Sequence, residues 1–237
     1  MNSDFVLVAG PPVRASSWEP TAQHLREAGH RVELPDVLAR HHPPPAWRDW
    51  NSCLLEHVAC GGDTLLVGHS SASALVADLA TRLPCRGVII VDGDVPPLRG
   101  TAGPVRPALR DFIQGLAGAD GMLPIWSRWF AGDPHRASVV GVDALARDAA
   151  ALEQFESGLP RLSSGWFDDA IELADWSGVP AGYIQTSAIY DHATAEAKRR
   201  GWPVARLHGT RLHPTLNPAE TAAALIAMSD ELKGRPR

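Results

Sequence analysis

The pentapeptide Gly68-His69-Ser70-Ser71-Ala72 is the stretch of this chain whose residue types and spacing could do chemistry. It has the form G-x-S-x-G with alanine in the last place. A strand that turns sharply into a helix there leaves no room for large side chains beside the turning residue. Gly68 and Ala72 supply that room, and Ser70 is then strained, with its hydroxyl exposed. The free N–H groups and dipole of the helix that follows stabilise nearby negative charge. Acyl transfer by such a serine needs a base for the hydroxyl proton, an acid that fixes the base's tautomer, and donors for the oxyanion. Ser70 fits the nucleophile, and the turn itself supplies the N–H of Ser71 as one oxyanion donor. In the plainer reading Ser70 is a helix N-cap and nothing more.

The flanking sequence has the elements this turn requires. Residues 64–67 are a short apolar run, and Ala72, Leu75, Val76, Leu79, Ala80 and Leu83 follow at helical spacing. Residues 5–9, 31–35, 87–91, 181–186 and 204–208 are further strands, several of them continuous apolar runs of the kind buried on both faces of a parallel sheet. Helices are expected after Ser16 or Ser17, over about 47–59 and 191–200, and from Asn217, which caps a helix with Pro218 first and Glu220 three residues on. The strand at 87–91 runs directly into Asp92, and the loop after the last strand carries Arg211 and His213. From residue 97 to about 175 the strand signal disappears. Gly, Pro and Trp are frequent there, with helical patches around 105–117 and 143–157. The fold class is therefore α/β, a mostly parallel doubly wound sheet with a helical cap insertion. Its core is 1–95 and 176–237, and the cap, 96–175, brings Trp126, Trp129, Phe130, Trp166 and Phe167 over the mouth of the sheet.

A chain of 237 residues suffices for one domain of this kind. A net charge of −5 without basic clusters argues against nucleic acid and anionic membrane surfaces as partners. Cys53, Cys60 and Cys85 are odd in number and at no metal-ligand spacing, which reads as reduced thiols in a cytoplasmic protein. The chain enters a strand by about Phe5 without a charged and then apolar leader, so neither a signal peptide nor a membrane span is expected. No glycine-rich nucleotide fingerprint follows the first strand, and His41-His42 has no carboxylate or Cys at ligand spacing. Neither a cofactor nor a metal is implied. The expected partner is a small-molecule substrate; the oligomeric state stays open, a homodimer included.

Together these features resemble the α/β-hydrolase family over nearly the whole chain. The likeness is greatest to small bacterial members, on Ser16-Ser17-Trp18-Glu19-Pro20, Gly68-His69-Ser70, Val91-Asp92 and Gly201-Trp202-Pro203. The resemblance implies a hydrolase of small molecules, some relatives being lyases or cyclases. It offers Asp92, Asp94 and Asp191 for the acid, with Asp92 preferred because haloalkane dehalogenases and some lipases use that strand end. It also shows departures. Counting back from the Pro that opens the last helix, the position of the family's His holds Arg211, and a guanidinium is no general base near neutral pH. His213, two residues on, either takes over or the triad is broken. The second oxyanion donor normally comes from the residue after the glycine that ends the first strand. Here that is Pro11, followed by Pro12, and neither has an N–H. Arg14 or the N–H of Val13 is the substitute.

Three functions follow. The first is a serine hydrolase of a small ester, thioester or lactone, with Ser70, His213 and Asp92 as triad and Ser71 and Val13 as oxyanion donors. The second is a non-hydrolytic lyase, isomerase or cyclase of secondary metabolism, in which Arg211 holds a carboxylate or enolate and Ser70 only hydrogen-bonds substrate. The third is a silent ligand binder. In each, Arg211, Trp126, Trp129 and His69 are the expected substrate contacts.

Overall fold

The computed structural model of the chain describes residues 4–39 and 47–234. In chain order the strands are β1 (Asp4–Val8), β2 (Arg31–Glu33), β3 (Thr64–His69), β4 (Gly87–Val91), β5 (Gly100–Ala102), β6 (Ile171–Leu173), β7 (Ala181–Gln185) and β8 (Val204–Arg206). The helices are α1 (Glu19–Glu27), α2 (Trp47–His57), α3 (Ser73–Arg82), α4 (Pro107–Gln114), α5 (Pro134–Val140), α6 (Val142–Leu145), α7 (Ala149–Ser157), α8 (Asp191–Arg199), α9 (His213–Leu216) and α10 (Pro218–Leu232).

Six strands form one all-parallel sheet in the order β2-β1-β3-β4-β7-β8. Parallel neighbours cannot be joined by a hairpin, so each connection crosses over, and here the crossovers carry helices that cover both faces. Side chains alternate along each strand. Val6, Val8, Leu66 and Ile90 pack with Trp47, Trp50 and Leu75 of α2 and α3 on one face. Phe5, Leu7, Leu65, Val67 and Ile89 pack with Leu25 of α1 and Leu225 of α10 on the other. The expected α/β doubly wound class is the class observed.

The stretch between β4 and β7 departs from expectation in its strands and in its helices. β5 and β6 pair antiparallel, Gly100 with Leu173 and Ala102 with Ile171, and so tie together its two ends. Three residues per strand are too few for alternation to be read, and the partner lies some seventy residues away in sequence. The helical patch at 143–157 is two helices, α6 and α7, and α5 precedes them. α5 starts at Pro134 behind Asp133, whose side chain accepts from the Arg136 N–H, and it stops at Gly141 with φ 92°. No disulfide links Cys53, Cys60 and Cys85. His41-His42, expected in a proline-rich loop, lies outside the described residues.

Candidate active site

β3 delivers its last residues to the carboxyl edge of the sheet, and at Ser70 the backbone turns over with φ 56°, in the left-handed region a non-glycine residue rarely adopts. A short 3-10 turn over Ser70–Ala72 leads into α3. Glycine is required just before the turn. A Cβ at Gly68 would stand 2.6 Å from Val76 Cγ2 and 2.9 Å from the Ala72 carbonyl.

Ser70 Oγ meets a guanidinium. Arg211 donates to it from Nη2 at 2.6 Å and from Nε at 3.2 Å, and Tyr190 Oη is 3.4 Å away. A hydroxyl oxygen has two lone pairs, and the two donors of Arg211 occupy both. Ser70 Oγ thus accepts from Arg211, and among the described residues no imidazole is hydrogen-bonded to it. Arg211 is buried, lies over the Trp126 ring with Cζ 4.9 Å from the centroid, and has no carboxylate within ion-pair distance among the described residues. Its Nη1 has no hydrogen-bond partner there. Its main chain is held against the end of α5, with Arg211 N donating to Val139 O and Leu212 N to Val140 O. Burial keeps the Tyr190 phenol protonated by raising its pKa, so it too is a donor.

These groups open on a cavity of about 510 Å³. Val105, Leu109, Phe112, Trp126, Trp129 and Phe167 supply much of its apolar wall, a composition usual for small-molecule sites. Ser71, Pro11 and Pro12 also line it, as do Arg106, His135 and Arg136; among the described lining residues there is no Asp or Glu. Trp166 instead packs against Trp50, ring centroids 4.9 Å apart.

Several expected site residues stand elsewhere. His213 is not brought to Ser70: its Nε2 faces Glu220 Oε2 at 3.1 Å and its Nδ1 the Asn217 amide at 3.2 Å. The imidazole fills the space over Gly209, where a Cβ would lie 1.9 Å from Nδ1. The two residues read as the cap of α10 are thus engaged by His213, and Asn217 makes no side-chain cap. Of the two expected substitutes for the second oxyanion donor, the Val13 N–H is given to Gly10 O at 3.1 Å and Arg14 is paired with Asp36 at 2.6 Å. Asp92 is fully buried, in the left-handed region at φ 44°. It accepts from Thr186 N at 2.9 Å, Ser187 N at 2.8 Å and Ser187 Oγ at 2.7 Å, which fixes the end of β7. Burial raises its pKa against those hydrogen bonds and the Arg211 charge. Asp94 pairs with His192 at 2.6 Å, and Asp191 accepts from Gln185 Nε2 at 2.7 Å. Tyr190, Arg106 and His135 carry no pattern of their own in the sequence; Tyr190 closes the 3-10 turn Ala188–Tyr190 beyond the end of β7.

His69 does not reach the cavity. Its ring packs edge-on to Trp18, centroids 5.7 Å apart, and Nε2 has no partner among the described residues. Burial first, and the Arg211 charge second, lower its pKa from 6.5 to about 3. The unfolded chain takes a proton near pH 6.5, whereas the fold refuses it until about pH 3. The stability this confers is full above pH 6.5 and falls with pH across that window, by about 1.4 kcal/mol per pH unit. Urea titrations between pH 7 and pH 4 should show that slope, and His69→Asn should flatten it.

A serine turn at the carboxyl edge of a parallel sheet, beside an apolar cavity, defines the class of the α/β-hydrolase fold. The sequence profile of the alpha/beta hydrolase family matches residues 5–224, and the chain belongs to that family. Similar solved structures include an extracellular alpha/beta-hydrolase from a Paenibacillus species, described as sharing structural and functional homology with tobacco salicylic acid binding protein 2. It is 16% identical over 95% of this chain and 98% of its own, with a TM-score of 0.74. Tomato methylketone synthase I complexed with 2-tridecanone is 15% identical over 98% and 100%, TM-score 0.73. Polyneuridine aldehyde esterase is 16% identical over 97% and 100%, TM-score 0.69. At these identities the likeness is one of fold. No curated protein matched the sequence. Among the described residues no helix is long and apolar enough to cross a membrane.

Proposed function

We propose that this protein is a non-hydrolytic enzyme of the hydrolase fold. It takes a small, largely apolar molecule through a carboxylate or enolate oxygen and promotes elimination, isomerisation or cyclisation, as in secondary metabolism. The observation that carries this reading is the Arg211 guanidinium on both lone pairs of Ser70 Oγ. It holds the Ser70 oxygen and in the same place creates a donor cluster: Arg211 Nη1, the Ser70 O–H, the Tyr190 phenol and the Ser71 N–H. Developing oxygen charge is what such a donor cluster stabilises. His135, exposed beside Arg136, is the imidazole among the described lining residues. Residues 96–175 act as the cap that closes over the ligand. Tomato methylketone synthase I, with the same fold, was solved with 2-tridecanone, a long apolar chain bearing one oxygen.

Calorimetric titration of the wild-type protein with decanoate and with methyl decanoate tests the reading. The carboxylate should bind at least about tenfold more tightly, the value of one charge-assisted hydrogen bond. Equal affinities would overturn it. A second reading, serine hydrolysis, is favoured by the retained turn at Ser70 and predicts covalent labelling of that residue by a fluorophosphonate.

A further inference from the structure

The cavity carries more positive charge than one oxyanion needs. Arg106, Arg136 and Arg211 all line it, in a chain whose net charge is −5, and no described lining residue is acidic. The three differ in depth: Arg211 is buried, Arg106 half-buried and Arg136 exposed, so one cation sits at the floor and two towards the mouth. Between them runs a line of rings. Arg136 Cζ stands 4.6 Å over Phe112, Phe112 stacks on Phe130 at 6.3 Å, Phe130 meets Trp126 edge-on at 5.4 Å, and Trp126 lies under Arg211. The apolar wall is therefore bounded by a guanidinium at each end.

The mouth cations are not equivalent. Arg136 pairs with Asp133 at 3.2 Å on the surface, which offsets part of its charge. Arg106 has no carboxylate within ion-pair distance among the described residues. Its Nη1 donates to Ile189 O at 3.2 Å and to the His192 ring at 2.9 Å; that ring is in turn 2.6 Å from Asp94, which also accepts the Arg106 main-chain N–H, so the carboxylate offsets Arg106 only through the imidazole. A guanidinium with no direct ion pair on the wall of a largely apolar cavity is a preformed partner for an anion.

From this arrangement, and resting on the reading of Arg211 given above, we infer that the ligand carries two oxyanionic groups joined by an apolar middle. One sits at Arg211 and Ser70, and the other, a carboxylate or phosphate, sits at Arg106 near the mouth. The monoanionic and neutral molecules usual for an ester site would leave Arg106 unused.

The test is calorimetry with sebacate and decanoate, which share a chain of the same length and differ in the second carboxylate. Sebacate should bind about tenfold more tightly than decanoate. In Arg106→Gln the ratio should fall to near one, and in wild type it should shrink as salt rises, because the mouth is solvated and screened. A ratio of one in wild type, or a ratio unaltered by Arg106→Gln in a protein whose circular dichroism is native, overturns the inference. Should that variant not fold, the wild-type salt series decides: a sebacate preference independent of salt overturns it equally. Failure of the underlying reading looks different, since decanoate would then bind no better than its methyl ester.

Discussion

Replacing Arg211 with Met should abolish carboxylate recognition and make the fold more stable. The guanidinium supplies two donors at Ser70 Oγ and a free Nη1, and it stacks on Trp126. Two or more charge-assisted bonds to a ligand carboxylate correspond to about 10² or more in affinity. Methyl decanoate, which presents no charge, should lose far less. The stability effect has the opposite sign because Arg211 is buried with no carboxylate in ion-pair range among the described residues. A desolvated charge with no carboxylate in contact costs the fold more than the distant Asp92 charge returns, and an apolar side chain of similar volume removes that cost, a gain of about 1 kcal/mol. Arg211→Lys should recover little binding, since an ammonium is a compact charge that cannot fork around one oxygen. Calorimetry and urea denaturation on the same preparations check both halves. An Arg211→Met protein that is less stable than wild type would mark the residue as structural instead.

The second large effect is on stability alone. Asp92→Ala should cost about 3–4 kcal/mol, because the Thr186 and Ser187 N–H groups and the Ser187 hydroxyl all end on its carboxylate in a fully buried place. The left-handed φ of 44° adds to the cost for alanine, whereas Asp and Asn tolerate it. Asp92→Asn keeps one carbonyl acceptor and should lose roughly half as much. The denaturation midpoint should move without a change in slope, as expected when stability alone changes. A loss under about 1 kcal/mol for Asp92→Ala would show that these bonds contribute little.

What the sequence made legible was local. The buried apolar runs at 5–8, 64–67 and 87–91 and the small residues around Ser70 each encode their element within a few positions, and the sheet and the turn stand where those patterns put them. The pairing of β5 with β6 was not legible, since three residues carry no alternation and the partner is distant in sequence. His213 shows why a site is harder to read than a fold. Its two partners, Asn217 and Glu220, also form a plausible helix cap, and no local rule decides between a cap and a buried imidazole. Arg211 stood out only by counting from Pro218. Its contact with Ser70 spans 141 positions, and nothing near either residue announces it. Tyr190 carries no pattern of its own, being one aromatic residue before a helix.

On the proposed function, Ser70 is a hydrogen-bond donor held by Arg211 and does not become acylated. Exposure of the wild-type protein to a fluorophosphonate probe, read by intact mass, tests this most directly. The mass should stay that of the unmodified chain. A stoichiometric adduct that disappears in Ser70→Ala would contradict the account and return the protein to the serine hydrolases.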